Sequence, residues 1–320
     1  MRMRGRCLAA TAALTGLLAS TAWALSAPSA LVLDSDSGRE LVSEGADAPR
    51  SPASTAKLMT ALLACERLDP DALLRVSPRA AGMPRTKADL RAGERYRVRD
   101  LIRALLVGSS NDAAVVLAEG VSGSEERFAE LMTRRAKALG CRKTRFLNAS
   151  GLTAPGQVST CRDLLRIFGA VRASRALMSA LTSPSATVEH PGGGRTVMRN
   201  HNHLLGDYES APVGKTGYTR AARHCFVGAF VSEGREYRVA CMGSGRLWED
   251  LKVLTTGSSP KAPAASAWPS ERLRAVQRAL AKLGYRSLAR FQKEQHLLAD
   301  GEPRDATCKA LSRKAGIPIP

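Results

Sequence analysis

The sequence predicts a mixed α/β domain of the α+β kind, an antiparallel sheet flanked by helices with a helical lobe inserted, followed by a small three-helix module. Three observations carry this expectation. Segments with β character stand near residue 30 and again after residue 184, and the stretch between them is helical in its periodicity. Strands from both ends of such a stretch share one sheet most simply, with the helices as an insertion. A tract rich in Pro, Ala and Ser at 255–270 then separates a last helical segment.

The elements follow in order. Residues 1–24 read as a secretory signal peptide: Arg2, Arg4 and Arg6 give a positive start, and Leu8 to Ala22 is an apolar run too short to span a membrane. Ala22-Trp23-Ala24 is a small-x-small cleavage site. The protein is therefore expected to be exported, to the periplasm, the cell wall or the medium, with no transmembrane segment in the mature chain. Residues 30–34 read as a strand, and Ser35 to Gly38 as a turn into a short return strand. A helix begins at Ser54 and ends before Asp69-Pro70-Asp71, and residues 74–98 read as loops and short strands. Helices are expected at 98–107, 111–119, 125–139 (closed by Gly140) and 160–171 (capped by Thr160). Strands are expected at 186–189, 196–199, 226–231 and 237–242.

A chain of 320 residues with 44% hydrophobic residues has enough material for a substantial core. Its net charge is +19. Export makes DNA and RNA poor partners, so this charge faces anionic envelope material or is simply a solvated basic surface. Six cysteines remain once Cys7 leaves with the signal peptide, and their spacings form no metal-finger pattern. Cys225 and Cys241 flank an expected hairpin turn at Glu233-Gly234, which leaves a bridge or buried thiols as alternatives.

Three short motifs carry the chemistry. Ser54-Thr55-Ala56-Lys57, at a helix start, puts a hydroxyl and an amine on one face. A serine is a weak nucleophile without a base, and lysine is a base only when neutral. Burial and the positive end of the helix dipole both favour the neutral form. Ser109-Ser110-Asn111 lies between two helices, and Lys215-Thr216-Gly217-Tyr218 enters a strand. Each pattern alone is common; the order and spacing are not. Of the 48 Lys and Arg residues only 11 are Lys, yet lysines stand at 57 and 215. A base must lose its proton, which Arg does not do in a protein.

With this context the chain resembles the penicillin-binding D,D-carboxypeptidases of the β-lactamase/transpeptidase-like superfamily over residues 29 to 250. Pro52 to Thr60 looks like that family's nucleophile segment, Ser109 to Ala114 like its second motif, and Gly214 to Thr219 like its third. Gly151-Leu152, Ser159-Thr160 and Asn202 to Leu205 fall where the family has related segments. The resemblance implies that Ser54 attacks the carbonyl of a D-Ala-D-Ala bond in a peptidoglycan stem peptide and that Lys57 takes its proton. It implies that Ser109 relays a proton to the leaving amine and that Asn111 binds the substrate backbone. Lys215 and Thr216 would hold the terminal carboxylate, Gly217 would let the strand approach substrate, and the Ser54 and Tyr218 N–H groups would form the oxyanion hole. β-Lactams would be covalent inhibitors, with no cofactor or metal. No glutamate occurs between Glu130 and Glu189, so slow release of penicillin is expected rather than efficient β-lactamase action.

Departures from the family pattern are Ser110, where glycine is usual and a side chain would narrow the cleft, and Arg223, also at a usual glycine. Arg223 either takes part in substrate selection or points to solvent. Neither the family's C-terminal β-domain nor its amphipathic anchor is expected from residues 255–320. Residues 271–320 instead resemble a shortened three-helix peptidoglycan-binding module, against the alternative of a helical cap on residues 28–254. His201 and His203 alternate like metal ligands or part of a nuclease motif, but no third ligand or carboxylate pattern accompanies them. The remaining alternatives are a D,D-endopeptidase cutting cross-links, a β-lactamase and a catalytically silent wall-binding protein.

Overall fold

A computed structural model describes residues 25–208, 211–256, 270–283, 285, 291, 295 and 305–319. The expected signal peptide and residues 257–269 of the expected linker lie outside these. The chain opens with the hairpin β1 (Ser29–Asp34) and β2 (Glu40–Glu44), then a 3-10 turn (Ala53–Ala56) that runs into α1 (Lys57–Arg67). The short β3 (Leu73–Arg75), α2 (Pro78–Ala81) and β4 (Arg95–Arg97) follow. Next come the lobe helices α3 (Val98–Val107), α4 (Asn111–Ser122) and α5 (Glu125–Ala138), then α6 (Cys161–Arg172) and α7 (Arg175–Thr182). The hairpin β5 (Ser185–Glu189) and β6 (Arg195–Arg199) precedes β7 (Val213–Thr219), β8 (Arg223–Ser232), β9 (Arg235–Ser244) and α8 (Leu247–Thr256). Helices α9 (Ser270–Lys282) and α10 (Asp305–Ala315) lie in the final segment.

The main sheet has the order β2-β1-β9-β8-β7 with antiparallel neighbours, so strands from the two ends of the catalytic region do share one sheet. Its strands bury both faces. On one face Leu31, Cys225, Val227, Ala240 and Met242 join the larger core with α1, α3, α4 and α6. On the other, Ala30, Val32, Phe226, Phe230, Val239 and Cys241 pack with Leu247, Leu251 and Leu254 of α8. The period of two in side-chain direction produces this division, and each fully buried Phe or Leu contributes about 2 kcal/mol. Edge strand β7 carries the third motif, and the 3-10 turn that carries the first packs beside it.

The same alternation decides the cysteine question. Cys225 is paired across the sheet with Met242, and Phe226 with Cys241, so the two thiols point to opposite faces. Both are free and buried, and no bridge joins them. The linker bounds also shift: Thr255 and Thr256 belong to α8 and Ser270 to α9. Three short helices were not expected: α2 within 74–98, α7, and α8. In the last segment Val276, Ala279, Leu280, Phe291, Cys308 and Leu311 form a small core of their own.

Helix α6 starts as its sequence demands. The Thr160 hydroxyl accepts the Asp163 N–H at 3.0 Å. Buried Asp163 then holds the preceding turn, accepting from the N–H groups of Arg142 and Lys143 and from the Thr144 hydroxyl. Thr160→Ala removes the cap and is expected to cost about 1 kcal/mol of stability in urea unfolding.

Candidate active site

The first motif sits on a tight turn rather than inside a regular helix. Ala53 has φ of 48°, Ser54 lies in the 3-10 turn, and Lys57 is the first residue of α1. The turn still brings Lys57 Nζ within 2.9 Å of Ser54 Oγ. Lys57 is wholly buried, 0% exposed, among Leu58, Ala61 and their neighbours. Burial, and then the charge of Lys215, hold its pKa well below the usual lysine value, against a weaker opposing pull from Asp112.

Two further oxygens surround the amine: Asn111 Oδ1 at 2.8 Å and the Ser150 carbonyl at 2.6 Å. Both only accept hydrogen bonds. The Asn111 amide is oriented by its other end, which donates to the Pro84 carbonyl at 3.0 Å. A neutral amine therefore spends both N–H groups on Asn111 and Ser150 and turns its lone pair toward the Ser54 hydroxyl.

The second motif is a bend between α3 and α4. Ser109 has φ of 55°, and Asn111 is the first residue of α4. The bend is held from outside: Thr86 Oγ1 donates to the Ser109 carbonyl and the Asn111 N–H donates to the Thr86 carbonyl. Buried Asp112 accepts from the N–H groups of Ala88, Leu90 and Ala113. Ser110 is completely buried, with its hydroxyl 3.3 Å from the Met198 sulfur. It faces β6, so it does not narrow the cleft as expected.

The third motif forms edge strand β7. Lys215 Nζ lies 3.1 Å from Ser109 Oγ and 3.1 Å from the Thr216 carbonyl. Burial draws the Lys215 pKa down to about 7. Gly217 meets the Ser54 turn: a Cβ there would stand 2.8 Å from the Ser54 nitrogen. Glycine thus lets the strand approach the 3-10 turn itself. Thr216 is half-buried, and Tyr218 is 59% exposed with its ring 4.5 Å from that of His224. Direct contacts thus join Ser54, Lys57 and Asn111 in one set and Ser109 with Lys215 in another. Thr216 and Tyr218 share the strand, without side-chain hydrogen bonds to either set among the described residues.

The main omission from the sequence reading is the Ser150 carbonyl. Gly151 has φ of 81°, and a Cβ on it would stand 1.8 Å from the Ala53 carbonyl oxygen. The bend at Gly151 lets the preceding carbonyl reach Lys57, and Asn148 Oδ1 accepts the Gly151 N–H at 2.7 Å. Thr60 Oγ1 and Glu125 Oε1 bind the backbone of Ala149. The Gly-Leu pair was visible in sequence, but a backbone oxygen has no letter. Among the described residues no carboxylate hydrogen-bonds Ser54 or Lys57. His203 stacks on Trp248 with centroids 4.8 Å apart. His201 is held near pKa 4, first by burial and then by the charge of Lys215.

A hydroxyl beside a buried amine, with a second hydroxyl–amine pair across the cleft, equips a protein for acyl transfer through a serine. The chain belongs to the D-alanyl-D-alanine carboxypeptidase family, whose model matches residues 17–245. It is 34% identical over 237 residues to a D-alanyl-D-alanine carboxypeptidase of Mycobacterium tuberculosis, covering 70% of this chain and 79% of that protein. It is 34% identical over 207 residues to a D-alanyl-D-alanine endopeptidase of Pseudomonas aeruginosa, covering 63% of this chain and 66% of that one. The crystal structure of a Mycobacterium tuberculosis D-alanyl-D-alanine carboxypeptidase superposes with a TM-score of 0.67 at 31% identity, covering 73% of this chain and 92% of that one. The fold is thus that of the D,D-peptidases, as the resemblance implied.

Gly151→Ala is expected to lower stability by about 2 kcal/mol or more, because it combines a left-handed backbone with a clash against Ala53. Urea unfolding measures the loss, and penicillin labelling of the folded variant is expected to fall with it.

Proposed function

We propose that the chain is a serine D-alanyl-D-alanine carboxypeptidase that removes the terminal D-Ala from peptidoglycan stem peptides through an acyl-enzyme on Ser54. The observation that carries this reading is the fully buried Lys57 amine 2.9 Å from Ser54 Oγ. Lys57 takes the hydroxyl proton as Ser54 attacks the penultimate D-Ala carbonyl. The Ser54 and Tyr218 N–H groups stabilise the oxyanion; the close approach of Gly217 to the Ser54 nitrogen supports this. Ser109, beside Lys215, returns a proton to the departing amine, which breaks the D-Ala–D-Ala bond. Asn111 binds the substrate backbone, while Lys215 and Thr216 hold the terminal carboxylate. Because β7 is an edge strand, a peptide can lie along it as an added strand. Water then releases the acyl group.

Penicillin acylates the same serine, and because no carboxylate among the described residues hydrogen-bonds Ser54 to activate water, its release is slow. No helix among the described residues is long and apolar enough to cross a membrane. The family fold and the signal-like residues 1–24 support an exported, cell-wall enzyme. The separate small core of α9 and α10 supports reading residues 271–320 as a module of its own, for which the proposed role is wall binding. The endopeptidase relative favours a second reading, in which the departing amine belongs to a cross-linked peptide.

A fluorescent penicillin is expected to label the wild type at Ser54, as located by mass, and to leave Ser54→Ala unlabelled. Rapid penicillin loss without label would indicate a β-lactamase instead, and neither label nor turnover would leave wall binding alone. The pH profile has a definite sign. Acylation rises as Lys57 loses its proton and falls as pH passes about 7, where Lys215 loses the charge that binds carboxylate. Lys215→Arg keeps that charge at every accessible pH. It is expected to lose the alkaline fall in stopped-flow acylation, even with a lower maximum rate.

A further inference from the structure

Of the three oxygens that meet Lys57 Nζ, the Ser150 carbonyl is the one supplied by the backbone. Its place depends on what fastens residues 147–152. Several bonds stay inside the connection from α5 to α6. Asn148 Oδ1 accepts the Gly151 N–H at 2.7 Å, Asn148 Nδ2 donates to the Leu152 carbonyl at 2.9 Å, and Gln157 Oε1 accepts the Leu147 N–H at 2.9 Å. These shape the loop without fixing its distance from α1. Besides Lys57 itself, the helix side chains that hydrogen-bond residues 147–152 are Thr60 and Glu125, and both grip Ala149. Thr60 Oγ1, on α1, donates to the Ala149 carbonyl at 2.6 Å, and Glu125 Oε1, on α5, accepts the Ala149 N–H at 3.0 Å. Thr133, also on α5, clasps the backbone of Phe146 instead, four residues before Ser150.

Thr60 and Lys57 stand three residues apart on one face of α1, so this helix takes hold of two successive carbonyls, those of Ala149 and Ser150. Thr60 is buried, and its hydroxyl otherwise meets only the Met132 sulfur, at 3.9 Å. Glu125 is buried at the first residue of α5, and Arg79 holds its second oxygen at 2.7 Å. Ala149 is therefore fixed at both its N–H and its carbonyl, from two helices. A planar peptide bond joins it to Ser150 without free rotation, so a shift at Ala149 carries Ser150 with it.

We propose that Thr60 and Glu125 are positioning residues: by fixing Ala149 from α1 and α5, they hold the Ser150 carbonyl on one Lys57 N–H and so keep the amine's lone pair aimed at Ser54 Oγ. This rests on acyl transfer at Ser54 with Lys57 as the base. In that step the hydroxyl proton passes to Lys57 Nζ as the Oγ–carbonyl bond forms, and the departing nitrogen takes up a proton as its bond breaks. Thr60 and Glu125 do not touch the reacting atoms. Loss of their grip slows acylation, because the lone pair turns away from the hydroxyl. It also moves the acid limb of the pH profile. A carbonyl binds an ammonium more strongly than an amine, so withdrawing it disfavours the protonated form, and Lys57 stays neutral to lower pH. The titratable groups that face Lys57 are Lys215 on β7, Asp112 on α4 and His201 after β6. The variants below leave all three in place.

The test follows penicillin acylation of the full chain by stopped flow across pH. Thr60→Val removes the hydroxyl at nearly constant shape. It is expected to lower the plateau rate about tenfold, the scale of a small misplacement of a reacting group. Its acid limb is expected to move down by about one pH unit, the scale of one hydrogen bond to a charged group. Thr60→Ser keeps the hydroxyl and is expected to restore both. Thr133→Val makes the same change beside Phe146 and is expected to lower the melting temperature while leaving limb and plateau in place. Glu125→Leu is expected to act as Thr60→Val does, and Glu125→Gln, which keeps an acceptor oxygen, to lose less. Thermal melting shows which variants are folded, and the Thr60 series decides the matter if Glu125→Leu is not. A Thr60→Val profile equal to wild type, or an equal change in Thr133→Val, overturns the positioning role. Equal profiles for Glu125→Gln and Glu125→Leu overturn the part given to Glu125. A wild type that penicillin does not acylate overturns the proposed function and the positioning role with it. A wild type that is acylated, with Thr60→Val unaltered, overturns the positioning role alone.

Discussion

A lysine side chain without water is the constraint on which the rest of the structure depends. The Lys57 amine is buried at the meeting point of three chain segments, each supplying one oxygen: Ser54, Asn111 and Ser150. A buried ammonium would be costly, so burial favours the neutral amine, the form that the proposed base role needs. Two carbonyl-type oxygens occupy its hydrogens and leave the lone pair for the hydroxyl. Stability and reactivity thus follow from one arrangement, and Lys215 across the cleft adds a charge that pushes the same way.

Around this centre the protein uses buried carboxylates as loop fasteners. Asp112 gathers three backbone N–H groups and fixes the segment that orients Asn111 and Ser109. Glu125 binds the Ala149 N–H, next to the carbonyl that meets Lys57, and also pairs with Arg79. Asp163 closes the turn before α6. These acids are engaged in shape, and among the described residues no carboxylate hydrogen-bonds Ser54 or Lys57. The exposed pairs, such as Arg134 with Glu130, matter far less, since solvent screens them.

How much of this could be read from the sequence depended on what kind of group did the work. Ser54, Lys57, Ser109, Asn111 and Lys215 were legible because their chemistry resides in side chains, and the structure gathers them into two contacting sets, Ser54–Lys57–Asn111 and Ser109–Lys215. The sheet was legible too, from apolar strands at both ends of the helical stretch. The Ser150 oxygen was hidden, because any residue has that carbonyl and only the bend at Gly151 aims it. Ser110 was misjudged because the sulfur behind it belongs to Met198, on a hairpin far along the chain. Helices α2, α7 and α8 are short, and tertiary packing rather than a long apolar repeat defines them. The thiols of Cys225 and Cys241 were placed in the right hairpin, but facing follows from register, which neighbouring strands decide.

The position of β1 has a kinetic consequence. Ser29 pairs with Met242, so the strand that opens the fold finds its central partner only after the whole helical lobe and the four strands β5 to β8 have been made. Such distant pairing gives high contact order, which slows folding because loop-closure entropy must be met before the contacts repay it. During synthesis the Ser54 turn emerges early, yet β7, which walls it and brings Lys215, emerges late. The cleft is therefore complete only once the C-terminal strands of the sheet are in place beside Ser54.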